Sequence, residues 1–70
     1  LDVRPVFERG ETPCALIEDA AAQTIVGSSF VLLAPFEPAP LYAKLGKQGF
    51  THQSAQQPDG SWRIEFRKTE

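Results

Sequence analysis

Phe30-Val31-Leu32-Leu33-Ala34 is an unbroken apolar stretch near the middle of the chain, and its length decides how the rest is read. The run is too short for a helix and suits a strand at the centre of a sheet. On its N-terminal side, Pro13 to about Ile25 carries Leu16, Ile17, Ala20, Ala21 and Ile25 on one face. Glu18, Asp19 and Gln23 fall elsewhere, as an amphipathic helix requires. Thr12 is the expected N-cap, Pro13 suits the first helical position, and Gly27 supplies the stop. Further back, Leu1 and Val3 alternate with Asp2 and Arg4 until Pro5, which reads as a short edge strand. The polar segment Glu8-Arg9-Gly10-Glu11 reads as a turn. Strand, helix and strand in this order predict a right-handed parallel crossover.

On the C-terminal side, Pro35-Phe36-Glu37-Pro38-Ala39-Pro40 forces a bend, and Pro40 opens a second helix to Lys47 with Leu41 and Leu45 one turn apart. Phe50 to Gln57 is extended but polar. Pro58-Asp59-Gly60-Ser61 is a turn, and Trp62, Ile64 and Phe66 then alternate with Arg63, Glu65 and Arg67. The last two segments therefore form a hairpin. The apolar second and half-apolar fourth strands belong inside the sheet, and the other two at its edges. The expectation is an α+β two-layer sandwich of order βαβαββ. Its mixed four-stranded sheet runs 1-2-4-3, with two helices on one face. Val31 and Leu33 then point to the uncovered face, where either Arg63 and Arg67 or another chain covers them.

Seventy residues form a single domain. One cysteine excludes an internal disulfide and fits the reducing cytoplasm. The longest apolar run, Phe30 to Phe36, falls far short of the ~20 residues of a membrane span, so a membrane location is not expected. The net charge of -2, with basic residues scattered, argues against a nucleic-acid partner.

Candidate sites are few. Cys14 falls on the first turn of the helix after Pro13, where the helix dipole favours a thiolate. It also lies at the shoulder of the apolar stripe, beside Ile17, Ala21 and Ile25, where a cysteine is simply a small packing residue. His52 is the lone histidine and no metal-ligand spacing surrounds it, so a surface residue and no metal are expected. Arg4, Glu8, Arg9 and Glu11 should gather near the first strand's end, close to Glu37. The C-terminal ends of parallel strands are the usual place for a crevice, although mixed charges in a polar loop also make an ordinary solvated surface. Tyr42 and Trp62 read as core-rim aromatics.

Several stretches together resemble the domain-of-unknown-function family numbered 2249. They are Leu1-Asp2-Val3-Arg4, the proline-capped helix, Gly27 to Leu32, Pro38-Ala39-Pro40-Leu41-Tyr42, Gly49-Phe50 and Trp62-Arg63-Ile64. That family is similar to the TusA/SirA sulfur-carrier group, and the resemblance implies the same βαβαββ sandwich. Carriers of that group place Cys-Pro-x-Pro at the start of the first helix. Here the aligned positions are Gly10-Glu11-Thr12-Pro13, so only Pro13 fits and Gly10 stands in the cysteine position. The expected function is a non-catalytic binding or accessory module without cofactor, serving a protein partner, a fused domain or a homodimer. Its binding residues would be Arg4, Glu11, Glu37 and Tyr42. The alternative is a sulfur- or redox-linked carrier that uses Cys14.

Overall fold

The structure, a computed structural model, describes residues 1–11 and 13–70. The order of elements is α1 (Arg4–Glu8), α2 (Cys14–Gln23), β1 (Ser29–Ala34), α3 (Ala39–Gly46), β2 (Phe50–Gln56) and β3 (Trp62–Lys68). The cap expected at Thr12 lies outside the described residues.

The sheet has three strands in the order β1-β3-β2, and both pairings are antiparallel. This corrects the expected four-stranded mixed sheet. The segment read as its first strand makes only one parallel bridge, between Asp2 and Leu33. Its backbone bonds are short: Val3 N–H donates to Leu33 O at 3.0 Å, Leu33 N–H to Leu1 O at 2.8 Å, and the Leu1 nitrogen to Val31 O at 2.7 Å. The ladder stops there because the chain turns helical at Arg4. Pro5 sits in the first turn of α1, where its missing N–H costs nothing, and the Asp2 carboxylate accepts the Arg4 N–H at 3.0 Å. The proline ends the strand as expected, but by starting a helix and not a loop.

The hairpin follows the sequence closely. Gln56 faces Trp62 and Phe50 faces Lys68, with Gly60 at φ 90° in the turn. Register places Phe30, Leu32, Ala34, Ile64, Phe66 and Phe50 on one face. They share a core with Val3, with Ile17 and Ala21 of α2 and with Leu45 of α3. Burying these side chains supplies the main driving force of a domain this small. Phe30 stacks on Phe66 at 5.3 Å and meets Phe50 edge-on at 5.8 Å. Gly49 (φ 92°) enters β2 with its carbonyl accepting Thr69 N–H at 2.8 Å. A side chain there would run into the Glu70 backbone.

α2 is shorter than its apolar pattern. It ends at Gln23, so Gly27 belongs to the following turn, where its N–H reaches Lys68 O at 2.8 Å. Ile25 is consequently 71% exposed, and Leu16 is also exposed; the buried stripe narrows to Ile17 and Ala21. On the opposite sheet face Val31 and Leu33 are half-buried, with Glu65 and Arg63 as their cross-strand neighbours.

Candidate functional site

α1 and the Pro35–Pro40 loop meet at the end of the molecule where β1 finishes, and two depressions open there on either side of Phe7. The first, of about 500 Å³, is lined by Arg4, Phe7, Glu8, Pro35, Asp59, Gly60 and Ser61. Arg4 binds Asp2 through two 2.9 Å hydrogen bonds and reaches Asp59 at 3.5 Å. The guanidinium hydrogen bonds from Arg4, joined by its backbone N–H, hold the Asp2 carboxyl down at about 2. Asp59 is lowered as well, chiefly by the Ser61 hydroxyl at 2.6 Å and the Ser61 N–H at 2.9 Å. The arginine's charge is thus shared between two carboxylates of the chain itself. It ties the start of α1 to the hairpin turn.

The second depression, of about 250 Å³, is walled by Phe7, Ile17, Phe36 and Leu41 and by Pro13, Pro38 and Pro40, with Cys14 at its edge. Phe7 and Phe36 meet edge-on at 5.0 Å and 68°, and Phe36 is 48% exposed. The prolines fix the loop in a shape that side chains of other residues would leave mobile. Among the described residues no charged group lines it.

Cys14 is exposed, which corrects the packing role expected from its place on the apolar stripe. It occupies the first turn of α2, where the chain is still turning in from Pro13, so the thiol faces outward while Ile17 takes the core position. Lys44 of α3 bonds Glu18 one turn after Cys14; that bond raises the Lys44 pKa, and the nearby Cys14 adds to the rise.

The sequence-derived site residues separate into distinct places. Arg4 and Glu8 line the polar depression. Arg9 and Glu11 pair with each other at 3.1 Å on the exposed turn. Glu37 turns towards α3 and β2, accepting from Tyr42 Oη at 3.3 Å and Ser54 Oγ at 3.5 Å. Burial raises the Tyr42 hydroxyl's pKa, and its ring lies flat on His52 at 3.7 Å and 6°. Three residues that matter read from the sequence only as structure, Asp59 and Ser61 as a turn and Phe36 as part of a bend, and Phe7 carries no sequence signal of its own. The signal for Asp59 was the Asp-Gly-Ser sequence, whose carboxylate commonly bonds the backbone two residues on. Nothing local linked it to Arg4.

Among the described residues no group of three or more His, Cys, Asp and Glu side chains is placed to hold a metal ion. No helix there is long and apolar enough to cross a membrane. The molecule is a small α+β domain whose loop end carries one charged and one apolar depression. The chain belongs to the family described as Uncharacterized conserved protein (DUF2249), which matches it over residues 1–68. No curated protein and no solved structure matches it.

Proposed function

We propose that this chain is a non-catalytic binding module whose working surface is the apolar cleft between α1, the start of α2 and the Pro35–Pro40 loop. The occupant is an apolar segment of a protein partner or of a fused domain. The carrying observation is a concave, wholly apolar lining beside a half-exposed Phe36 on a loop stiffened by proline. Pre-shaped apolar pockets with an aromatic anchor are where small modules concentrate their binding energy. The TusA-like reading of the fold rests on the sequence resemblance alone; of the first strand it implies, the single Asp2–Leu33 bridge is present. A cytoplasmic setting fits the single unpaired cysteine.

The test is a parallel capture from native lysate with the wild type and with Phe36→Asp, each checked for an unchanged amide spectrum. A partner retained by the wild type and lost by Phe36→Asp supports the reading. Identical capture by both removes it.

A second reading, a sulfur- or redox-linked carrier, is favoured by one observation: Cys14 is exposed on the first turn of α2, at the lip of the same cleft. Its measurement is the pH dependence of iodoacetamide labelling, followed by mass spectrometry for a persulfide. A thiol that titrates near 8.5 and carries no persulfide rules this reading out.

A further inference from the structure

The two edges of the sheet are finished differently. At β1 the outward carbonyl of Val31 and the outward N–H and carbonyl of Leu33 are taken by Leu1 and Val3. At β2 the ladder with β3 alternates. Gln57 N–H donates to Ser61 O and Thr69 N–H to Gly49 O, so Thr51, Gln53 and Ala55 bond inward. Phe50, His52, Ser54 and Gln56 therefore turn their N–H and C=O groups outward. Among the described residues no backbone group pairs with them.

Open edges of this kind are normally guarded by lysine, proline, a bulge or an inward charge. β2 has none of these. Its seven residues, Phe50-Thr51-His52-Gln53-Ser54-Ala55-Gln56, contain no proline, lysine, arginine, aspartate or glutamate, and they pair with β3 without a bulge.

We infer that β2 is a pairing edge for the β2 strand of a second copy of this chain, joined antiparallel about Gln53 to make a continuous six-stranded sheet. Three features select this occupant and this register. Centring the two-fold on Gln53 sets Phe50 opposite Gln56 and His52 opposite Ser54, so every outward group on both strands is used. A centre on His52 or Ser54 leaves outward groups unpaired. Antiparallel pairing also brings the Lys47 end of each strand towards the Asp59 turn of the other, whereas parallel pairing would oppose like charges. β1 is partly covered by Leu1–Val3, which leaves β2 as the longer open edge, and pairing about a two-fold uses that same edge of both copies, so the contact is closed at two. In this register directly opposed side chains share a face, so the helices of both copies lie on the same side. Tyr42 lies 6.2 Å from Phe66 of β3 as well as on His52, which sets α3 over the β2–β3 pair and not beyond the edge.

The experiment is sedimentation equilibrium of the chain from micromolar to millimolar concentration, with two variants. Gln53→Lys faces Glu65 across the β2–β3 pair, so the single chain keeps its fold. It sets two lysines against each other at the two-fold and should weaken dimerisation about five-fold. Ser54→Pro removes an outward N–H that the β2–β3 ladder does not use, and it should leave a monomer throughout. Mixing Gln53→Lys with Gln53→Glu should restore association. A dimer in the wild type, weakened in both variants and restored in the mixture, with slowed exchange of the His52 and Ser54 amides, supports the proposal. It is overturned if the wild type stays monomeric up to millimolar concentration, or if both variants dimerise like the wild type. Gln53→Lys and Gln53→Glu touch nothing in the apolar cleft, so their outcome is independent of the binding reading above; Ser54→Pro also gives up the Ser54 Oγ–Glu37 hydrogen bond on the loop that walls the cleft.

Discussion

Phe7 separates two depressions of opposite character, and the contrast shows how a short helix can serve two purposes. On one side α1 offers Arg4 and Glu8 to the hairpin turn, and the charges there are satisfied within the chain by Asp2, Asp59 and Ser61. On the other side the same Phe7 ring closes a cleft lined, among the described residues, by apolar side chains and Cys14. The charged side is a clasp. It links the N-terminal segment to the β2–β3 turn beside Phe7. The apolar side is free surface. A charged loop cluster attracts attention in a sequence, but here the less conspicuous phenylalanines and prolines make the better candidate site.

The substitution expected to do most damage to this arrangement is Phe7→Ala, which removes the shared wall. Phe7 is half-buried and packs on Phe36, so its loss should cost about 2 kcal/mol, between a surface change and a full core deletion. Urea unfolding would measure it. A change near zero would mean that the two depressions are independent of each other. Phe36→Ala should cost less, about 1 kcal/mol, because the ring is already half in water and contributes mainly the edge-on contact. Its larger consequence is the loss of partner capture, so the pair of variants distinguishes support of the fold from service in the cleft.

The clasp can be tested through pH. Asp2 and Asp59 both have folded-state pKa values below the ordinary 3.8, so each contributes stability that is present above that value. That contribution is lost as pH falls from about 4 towards 2. In Arg4→Met the Asp2 value should climb from about 2 back towards 3.8, read by carboxyl chemical shifts. The acid limb of the unfolding profile should flatten with it. A pH profile unchanged by Arg4→Met would show that the ion pairs do not hold the loop end together.

Much of the fold was legible because periodic hydrophobicity reports burial directly. The Trp62-Ile64-Phe66 alternation, the β1 strand and the proline-led α3 all form at the residues the sequence marks, and the polar third strand does lie at an edge; β1 itself, expected at the centre, is the sheet's other outer strand, flanked only by the Asp2–Leu33 bridge. The misreadings share one cause: local signals compete over a few residues. Leu1-Asp2-Val3 alternates like a strand, yet Asp2 and Pro5 together begin a helix, and an alternation three residues long cannot outweigh that start. Ile25 has the right spacing for α2, but the helix stops at Gln23 before reaching it. Of the cluster expected from Arg4, Glu8, Arg9, Glu11 and Glu37, only Arg4 and Glu8 line one depression, while Arg9 pairs with Glu11 and Glu37 meets Tyr42. Arg4's nearer partner, Asp2, is two residues away, but the contact that joins it to the hairpin turn is with Asp59, 55 residues away. No pattern in a single sequence encodes a contact across that separation, because the turn that carries Asp59 is docked by the sheet and not by its neighbours in the chain.

The smallest effect expected is the most informative for chemistry. Cys14→Ser changes one exposed atom on the first turn of α2, and serine is as acceptable at that position as cysteine. Stability should therefore shift by less than about 0.5 kcal/mol, as for surface changes generally. If the cleft binds through shape and apolar contact alone, partner capture should also survive, because Phe7, Phe36, Ile17 and Leu41 still line it. If the thiol is the working group, capture or persulfide loading should vanish while the fold remains intact. Because the substitution leaves the packing alone, a loss of function cannot be attributed to a loss of structure. The same variant thus separates a cleft that merely contains a cysteine from a cysteine that uses a cleft.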